Sequence, residues 1–154
     1  MGDPQRAVGA GVSTFLDFNR GVIEDLRANR GKATTGPFAG RELAILTTVG
    51  ARTGKQSENP LAFTEDGDHL VVVASMGGAP VSPAWYHNLL THPEVGVEVR
   101  GDSFRARASA LTEGDEYERL YKNHADRFPS FWEYRQRTSR RIPVVVLERI
   151  DGTG

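Results

Sequence analysis

After residue 42 the chain carries several β-rich runs, and in some of them apolar and polar residues alternate. Val95, Val97 and Val99 fall at every second position, a Gly101-Asp102 turn follows, and Phe104, Ala106, Ala108 and Ala110 then alternate with Arg105 and Arg107. A period of two places one set of side chains on a single sheet face, so these runs predict half-buried strands. "ELAILTTV" (42–49) is a further β-rich run, and "IPVVVLERI" (142–150) predicts the last strand. Between them, "NPLAFTEDGDHLVVVAS" (59–75) holds two strand-like runs around Asp66-Gly67-Asp68, a strong hairpin signal.

Elsewhere the spacing changes to that of helices. Phe15, Phe18, Val22, Ile23 and Leu26 recur at three and four residues within 12–29, with Ser13 as the expected cap and Gly31 as the stop. A second helix is expected from Ser82-Pro83, Ser capping and Pro in the first turn, to just before His92-Pro93. A third is expected from Thr112, with Asp115 completing a weak capping box and Tyr117, Leu120, Tyr121 and His124 on one face. The stretch "RGKATTGPFAGRE" (30–42) reads as a linker or extended arm. Short strands joined by hairpins, with few helices, predict a mainly β fold: an antiparallel barrel with added helices.

Composition narrows the chemistry. At 154 residues the chain suits one domain, and its net charge of −1 supplies no basic field for nucleic acid. With no cysteine, disulfides, thiolate nucleophiles and thiolate metal sites are excluded. The N-terminus has no long apolar run, so a cytoplasmic protein is expected. His69, His87, His92 and His124 show no metal spacing and read as surface or helix-end residues; no metal is expected. Arg135, Arg137, Arg140 and Arg141 read mainly as solvated surface, with a basic rim as the alternative.

The candidate chemistry lies in two stretches. "TTVGARTGKQSENP" (47–60) looks at first like a Walker loop, but Gly50 and Gly54 enclose only three residues, Gln56 stands where the hydroxyl belongs, and Asn59-Pro60 follows instead of a helix. It still suits an anion: two glycines can expose backbone N–H groups, and Arg52, Thr53 and Lys55 add charge and a hydroxyl. The alternative is an ordinary polar hairpin loop. In "VVVASMGGAPVSPAWYHNLLTHP" (71–93), Ser75 and Gly77-Gly78 follow a strand, and Trp85 and Asn88 share a helix face. That combination suits a flat heteroaromatic ring; the alternative is that Trp85, Leu89 and Leu90 are only a buried helix face.

Together these motifs resemble the deazaflavin-dependent nitroreductases, and within them the F420H2-dependent quinone reductases. These enzymes reduce quinones, nitroimidazoles and other electron-poor compounds with reduced coenzyme F420. The resemblance runs from about Leu43 to Ile150 and rests on Leu46-Thr47-Thr48, Gly-x-Arg-Thr-Gly-Lys, Asn59-Pro60-Leu61, Asp66-Gly67, Ala74-Ser75 with Gly77-Gly78, Pro83-x-Trp-Tyr-x-Asn-Leu, and Arg141-Ile142-Pro143. It implies a split β-barrel of the flavin-reductase or FMN-binding kind over 41–154, preceded by an N-terminal helix and linker arm over 1–40. It also implies that Arg52, Thr53, Gly54 and Lys55 meet the phosphate and glutamate tail of F420. Asn59, Pro60 and Leu61 would border the deazaflavin on one side and Ala74, Ser75 and Gly77 on the other, with Trp85, Tyr86 and Asn88 behind. Ser75 and Tyr134 are the candidates to contact the acceptor. Ala51 and Ser57-Glu58 replace basic residues of some relatives, and Glu58 would repel an anionic tail it faced. Ala62, Phe128 and Phe131 replace aromatic or tyrosine positions of the nitro-drug-activating members, leaving Tyr134 the hydroxyl. A small-molecule electron acceptor, a second subunit and a peripheral membrane contact through the N-terminal helix are the partners considered. A non-catalytic F420 carrier and an FMN-binding barrel are the competing readings.

Overall fold

The structure is a computed structural model that describes residues 18–150. The expected cap Ser13 and Phe15 lie outside the described residues. Helix α1 covers residues 18–28. The strands are β1 (Ala44–Val49), β2 (Gln56–Leu61), β3 (Thr64–Asp66), β4 (His69–Val73), β5 (Glu94–Val99), β6 (Asp102–Leu111) and β7 (Val144–Arg149). The other helices are α2 (Ala84–Thr91), α3 (Asp115–Arg127) and α4 (Ser130–Arg137), with a single 3-10 turn at Met76–Gly78.

All neighbouring strands pair antiparallel, in the order β2-β1-β5-β6-β7-β4-β3. β2 and β3 are the two edges of this sheet, yet only Ala62 and Phe63 join them. Three Cα steps reach roughly 10 Å. The sheet therefore has to curl until its edges nearly meet, which gives a half-open barrel.

Alternation assigns the faces. Ala44, Leu46, Val72, Ala74, Val95, Val97, Val99, Ala106, Ala108, Val145 and Leu147 share the inner core with Trp85, Tyr86 and Leu89 of α2. Val71, Val73 and Val144 point the other way, against Tyr117, Leu120 and Tyr121 of α3 and Phe131 of α4. Strands buried on both faces explain why "HLVVV" and "VVV" lack alternation. On a third patch, Ile23 and Leu26 of α1 pack on Leu43 and Ile45.

Several local expectations change. The β5–β6 turn is Arg100-Gly101, with φ of 52° and 81°, one residue earlier than expected; two positive φ values match the right-handed twist of a tight hairpin. The 59–75 stretch holds three strands, because Ala62-Phe63 turn the corner between the edges. Pro83 caps α2 and Gly114 caps α3, neither with a side-chain hydrogen bond, so the Ser82 cap and the Thr112 capping box do not form. α4 was not expected. The 30–42 arm folds back on itself, with Lys32 bridged to Glu42 and Ala33 buried.

Candidate functional site

The Gly50–Lys55 loop joins β1 to β2 and closes on itself. Gly50 N donates to the Lys55 carbonyl at 2.8 Å and Gly54 N to the Gly50 carbonyl at 3.0 Å. The Thr53 hydroxyl accepts from Lys55 N at 3.2 Å. A Cβ on Gly50 would stand 2.5 Å from that hydroxyl, and Gly54 has φ of 70°, so both glycines are required by the turn. Among the described residues, the N–H groups of Arg52 and Thr53 find no acceptor, and the exposed Arg52 and Lys55 side chains have no ion-pair partner. The loop thus presents unspent N–H groups beside two cations that have no ion-pair partner among the described residues.

Asn88 holds this loop from behind. Its Oδ1 accepts from Ala51 N at 3.0 Å and its Nδ2 donates to the buried Thr48 hydroxyl at 3.1 Å. Asn88 thereby positions the loop, and its amide keeps a second Nδ2 hydrogen and a second Oδ1 lone pair uncommitted among the described residues. Trp85, only 5% exposed, belongs to the inner core, which favours the buried-face reading over a ring wall. Leu89 is buried as that reading expected, but Leu90 is 54% exposed and leaves the face.

The second loop runs from Ala74 to Ser82 and is stitched by one residue from far along the chain. Arg140 donates from Nε to the Ala79 carbonyl at 2.8 Å and from Nη1 to the Ser82 hydroxyl at 3.1 Å. From Nη2 it reaches the Ala74 carbonyl at 3.1 Å and the Ser75 carbonyl at 2.9 Å. These partners are all neutral; burial pulls the guanidinium below its ordinary pKa. The solvated-surface reading of the arginine cluster thus fails for Arg140. Arg135 also departs from it, donating to Glu118 at 2.7 Å with its guanidinium over the Tyr121 ring.

The backbone of Tyr134 packs against this loop. Gly78, with φ of 84°, lies so close to α4 that an added Cβ would stand 3.0 Å from the Tyr134 carbonyl. This brings Tyr134, edge-to-face with Phe131 at 5.1 Å, beside the Ser75–Gly78 turn. Ala74 is fully buried and Ser75 nearly so, while Gly77 is exposed with φ of 65°. Burial raises the Tyr86 hydroxyl above its ordinary pKa, and the nearby Arg140 charge partly offsets this.

Edge strand β2 completes the arrangement. Asn59 pairs with Leu46 and Leu61 with Ala44, so both side chains face inward; Pro60 pairs with Ile45 and faces α1. The Asn59 amide has no partner among the described residues. Glu58 faces out with Pro60, where Arg27 Nη2 donates to it at 2.6 Å. The carboxylate expected to repel an anion therefore points outward and is ion-paired to Arg27 of α1, which it shares with Glu98.

Sequence reasoning also missed His124. It is fully buried, with Nδ1 3.1 Å from the Thr64 hydroxyl, no partner at Nε2, and Phe131 stacked edge-on at 4.5 Å. Burial pulls its pKa down to about 4. A histidine on a helix face alone gives no signal of this.

A curled antiparallel half-barrel, an unpaired basic loop at its edge and a second glycine loop opposite define a cofactor-binding barrel of the flavin-reductase class. The model of the F420H(2)-dependent quinone reductase family matches residues 18–149. An F420H(2)-dependent quinone reductase of Mycobacterium tuberculosis H37Rv is 42% identical over 110 residues, 68% of this chain and 72% of that protein. A solved F420-H2 dependent reductase is 36% identical with a TM-score of 0.64, covering 69% of this chain and 93% of that one. A solved domain-swapped dimer is 29% identical with a TM-score of 0.66 over 95% of this chain and all of the other. The chain belongs to the F420H(2)-dependent quinone reductase family. It is thus an oxidoreductase that uses reduced F420 on quinone-type acceptors, and the carrier and FMN alternatives give way.

Proposed function

We propose that F420 lies across the two loops and that its acceptors are flat, apolar quinones. The observation that carries this reading is the Gly50–Lys55 loop, built and pinned yet leaving Arg52, Lys55 and two N–H groups unspent. Those groups fit a phosphodiester extended by carboxylates. Arg52, Thr53, Gly54 and Lys55 hold the phosphate and tail; Asn59 and Leu61 border the ring by their side chains on the β2 edge and Pro60 by its backbone. Ala74, Ser75 and Gly77 border it on the other side, and Tyr86 stands behind. When bound, the reduced deazaflavin supplies a hydride to an electron-poor acceptor. The protein's part is to position the two reactants and exclude water.

Ser75 and Tyr134 are the hydroxyls we assign to donate to an acceptor oxygen. With Ala62 small and Phe131 without a hydroxyl, the acceptor side favours naphthoquinones over nitroimidazoles; Phe128 instead lines a different cavity, beneath Arg41. Four exposed apolar residues, Phe18 on α1 and Met76, Val81 and Leu90 near the second loop, offer contact to a membrane surface or a second subunit. Vesicle flotation and light scattering separate those two partners. Anaerobic mixing of the protein with reduced F420 and a panel of quinones, enones and nitroaromatics tests the acceptor reading. Nitroimidazole turnover exceeding naphthoquinone turnover would overturn it. Tyr134→Phe should lower turnover and leave F420 affinity unchanged, the pattern of a contact made with the acceptor or in the transition state.

A further inference from the structure

A further cavity lies away from the Gly50–Lys55 loop. It has a volume of about 700 Å³ and opens between the 30–42 arm, β3 and α3. Glu42, on its wall, precedes the start of β1, whereas the anion loop follows its end; six strand residues separate the two by roughly 17–20 Å. That volume is within the range of small-molecule sites.

Its charges do not balance. Lys32, Arg41, Arg100 and Arg127 face two carboxylates, Glu42 and Glu65. Arg100 takes both carboxylates, donating from Nε to Glu42 at 3.0 Å and from Nη2 to Glu65 at 2.6 Å. Lys32 and Arg127 have no ion-pair partner among the described residues. Arg41 donates only to the backbone carbonyl of Arg127, at 3.2 Å, and lies over the Phe128 ring at 4.9 Å. Lys32, Arg41 and Arg127 are thus outside any ion pair among the described residues, and the cations of the lining exceed its carboxylates by two. Its apolar walls are two rings, Phe63 and Phe128. Such a lining favours a ligand with an anionic end for the cations and a flat ring for the two phenylalanines.

We propose that this cavity is a second binding site, for an aromatic carboxylate. The carboxylate sits between Lys32 and Arg127 and the aromatic body lies against Phe63 and Phe128. The site is separate from the Arg52–Lys55 loop and does not depend on where F420 lies.

Calorimetric titration of the full chain with naphthalene-2-carboxylate, inorganic phosphate and neutral naphthalene-2-methanol tests it. Saturable binding of the carboxylate is expected, at least tenfold tighter than either other probe. Lys32→Gln and Arg127→Gln should each weaken it several-fold and together at least tenfold. Both side chains are exposed, so the melting temperature should hold and confirm that the variants fold. Arg52→Ala should leave carboxylate binding unchanged. Unaltered affinity in the double variant, loss in Arg52→Ala, or equal binding of the neutral alcohol would each overturn the proposal. Phosphate binding as tightly as the carboxylate would do so too, by removing the role of the rings.

Discussion

The two glycine loops that flank the site are held by opposite means. Gly50–Lys55 is closed by its own backbone and steadied by one amide, Asn88, and its cations remain unspent. Ala74–Ser82 contributes no charge of its own and is held by a cation from residue 140, whose hydrogen bonds all go into that loop and Ser82. One loop offers its charge outward; the other consumes a charge to stay in place. The difference separates binding energy from positioning, and variants on the two sides should fail in different ways.

The largest effect is expected at Arg140. A hydrogen bond to a charged group contributes about 1.5–3 kcal/mol, and four sharing one guanidinium do not add in full. Arg140→Met should cost roughly 3–5 kcal/mol in denaturant unfolding. F420 affinity should fall with it, because Ala74 and Ser75 lose their anchor. Arg140→Lys keeps the charge without the planar fork and should recover less than half of either loss. Full rescue by Lys would mean that charge alone, and not the fork, holds the loop.

Acid should loosen the same side of the molecule. His124 lies under Phe131 of α4, the helix that packs on Gly78. Its folded pKa of about 4 is below the ordinary 6.5. The unfolded chain therefore takes up a proton below pH 6.5 that the folded protein refuses. The stability this residue secures is complete above pH 6.5, declines as pH falls towards 4, and changes no further below that. The total is on the order of 3 kcal/mol. Unfolding measured from pH 7 to 4 should show the decline, and His124→Leu should flatten it. An unchanged slope in that variant would assign the acid sensitivity elsewhere.

Asn88→Ala should come next. It leaves the Ala51 N–H and the buried Thr48 hydroxyl without their partner, a cost of about 1–3 kcal/mol. Because the amide pins the anion loop, F420 affinity should fall as well. Loss of stability with affinity intact would show that the loop needs no support from α2.

What the sequence made legible follows the same division. The closed glycine loop with its unpaired cations was legible because its glycines, cations and hydroxyl lie within six residues. The inner strands could be read because Val95, Val97 and Val99 keep strict alternation. The role of Arg140 could not, since its partners stand 58 to 66 positions earlier. Glu58 looked hostile to an anion because neither its outward register on β2 nor Arg27 of α1 is visible locally. A barrel was legible from the short strands joined by hairpins, but not where it closes, which depends on β2 and β3 being opposite edges with two residues between them. α4 was hidden by its sequence, SFWEYRQR, which shows no clean apolar stripe beyond Phe131 and the half-buried Trp132 and Tyr134.

The smallest structural effect and the sharpest functional one should coincide at Arg52. Its side chain is exposed and has no ion-pair partner among the described residues, so Arg52→Ala should change unfolding by less than about 0.5 kcal/mol. If the guanidinium meets the phosphate or the tail, F420 affinity should fall roughly tenfold, equivalent to about 1.4 kcal/mol. Raising the salt should weaken the native protein's binding and affect the variant less, since one of the screened charges is gone. Fluorescence titration at two salt concentrations measures both quantities. A loss of affinity matched by a loss of stability would make this loop resemble the second one. An unchanged affinity would return Arg52 to the solvent and leave Lys55 and the backbone N–H groups as the anion's partners.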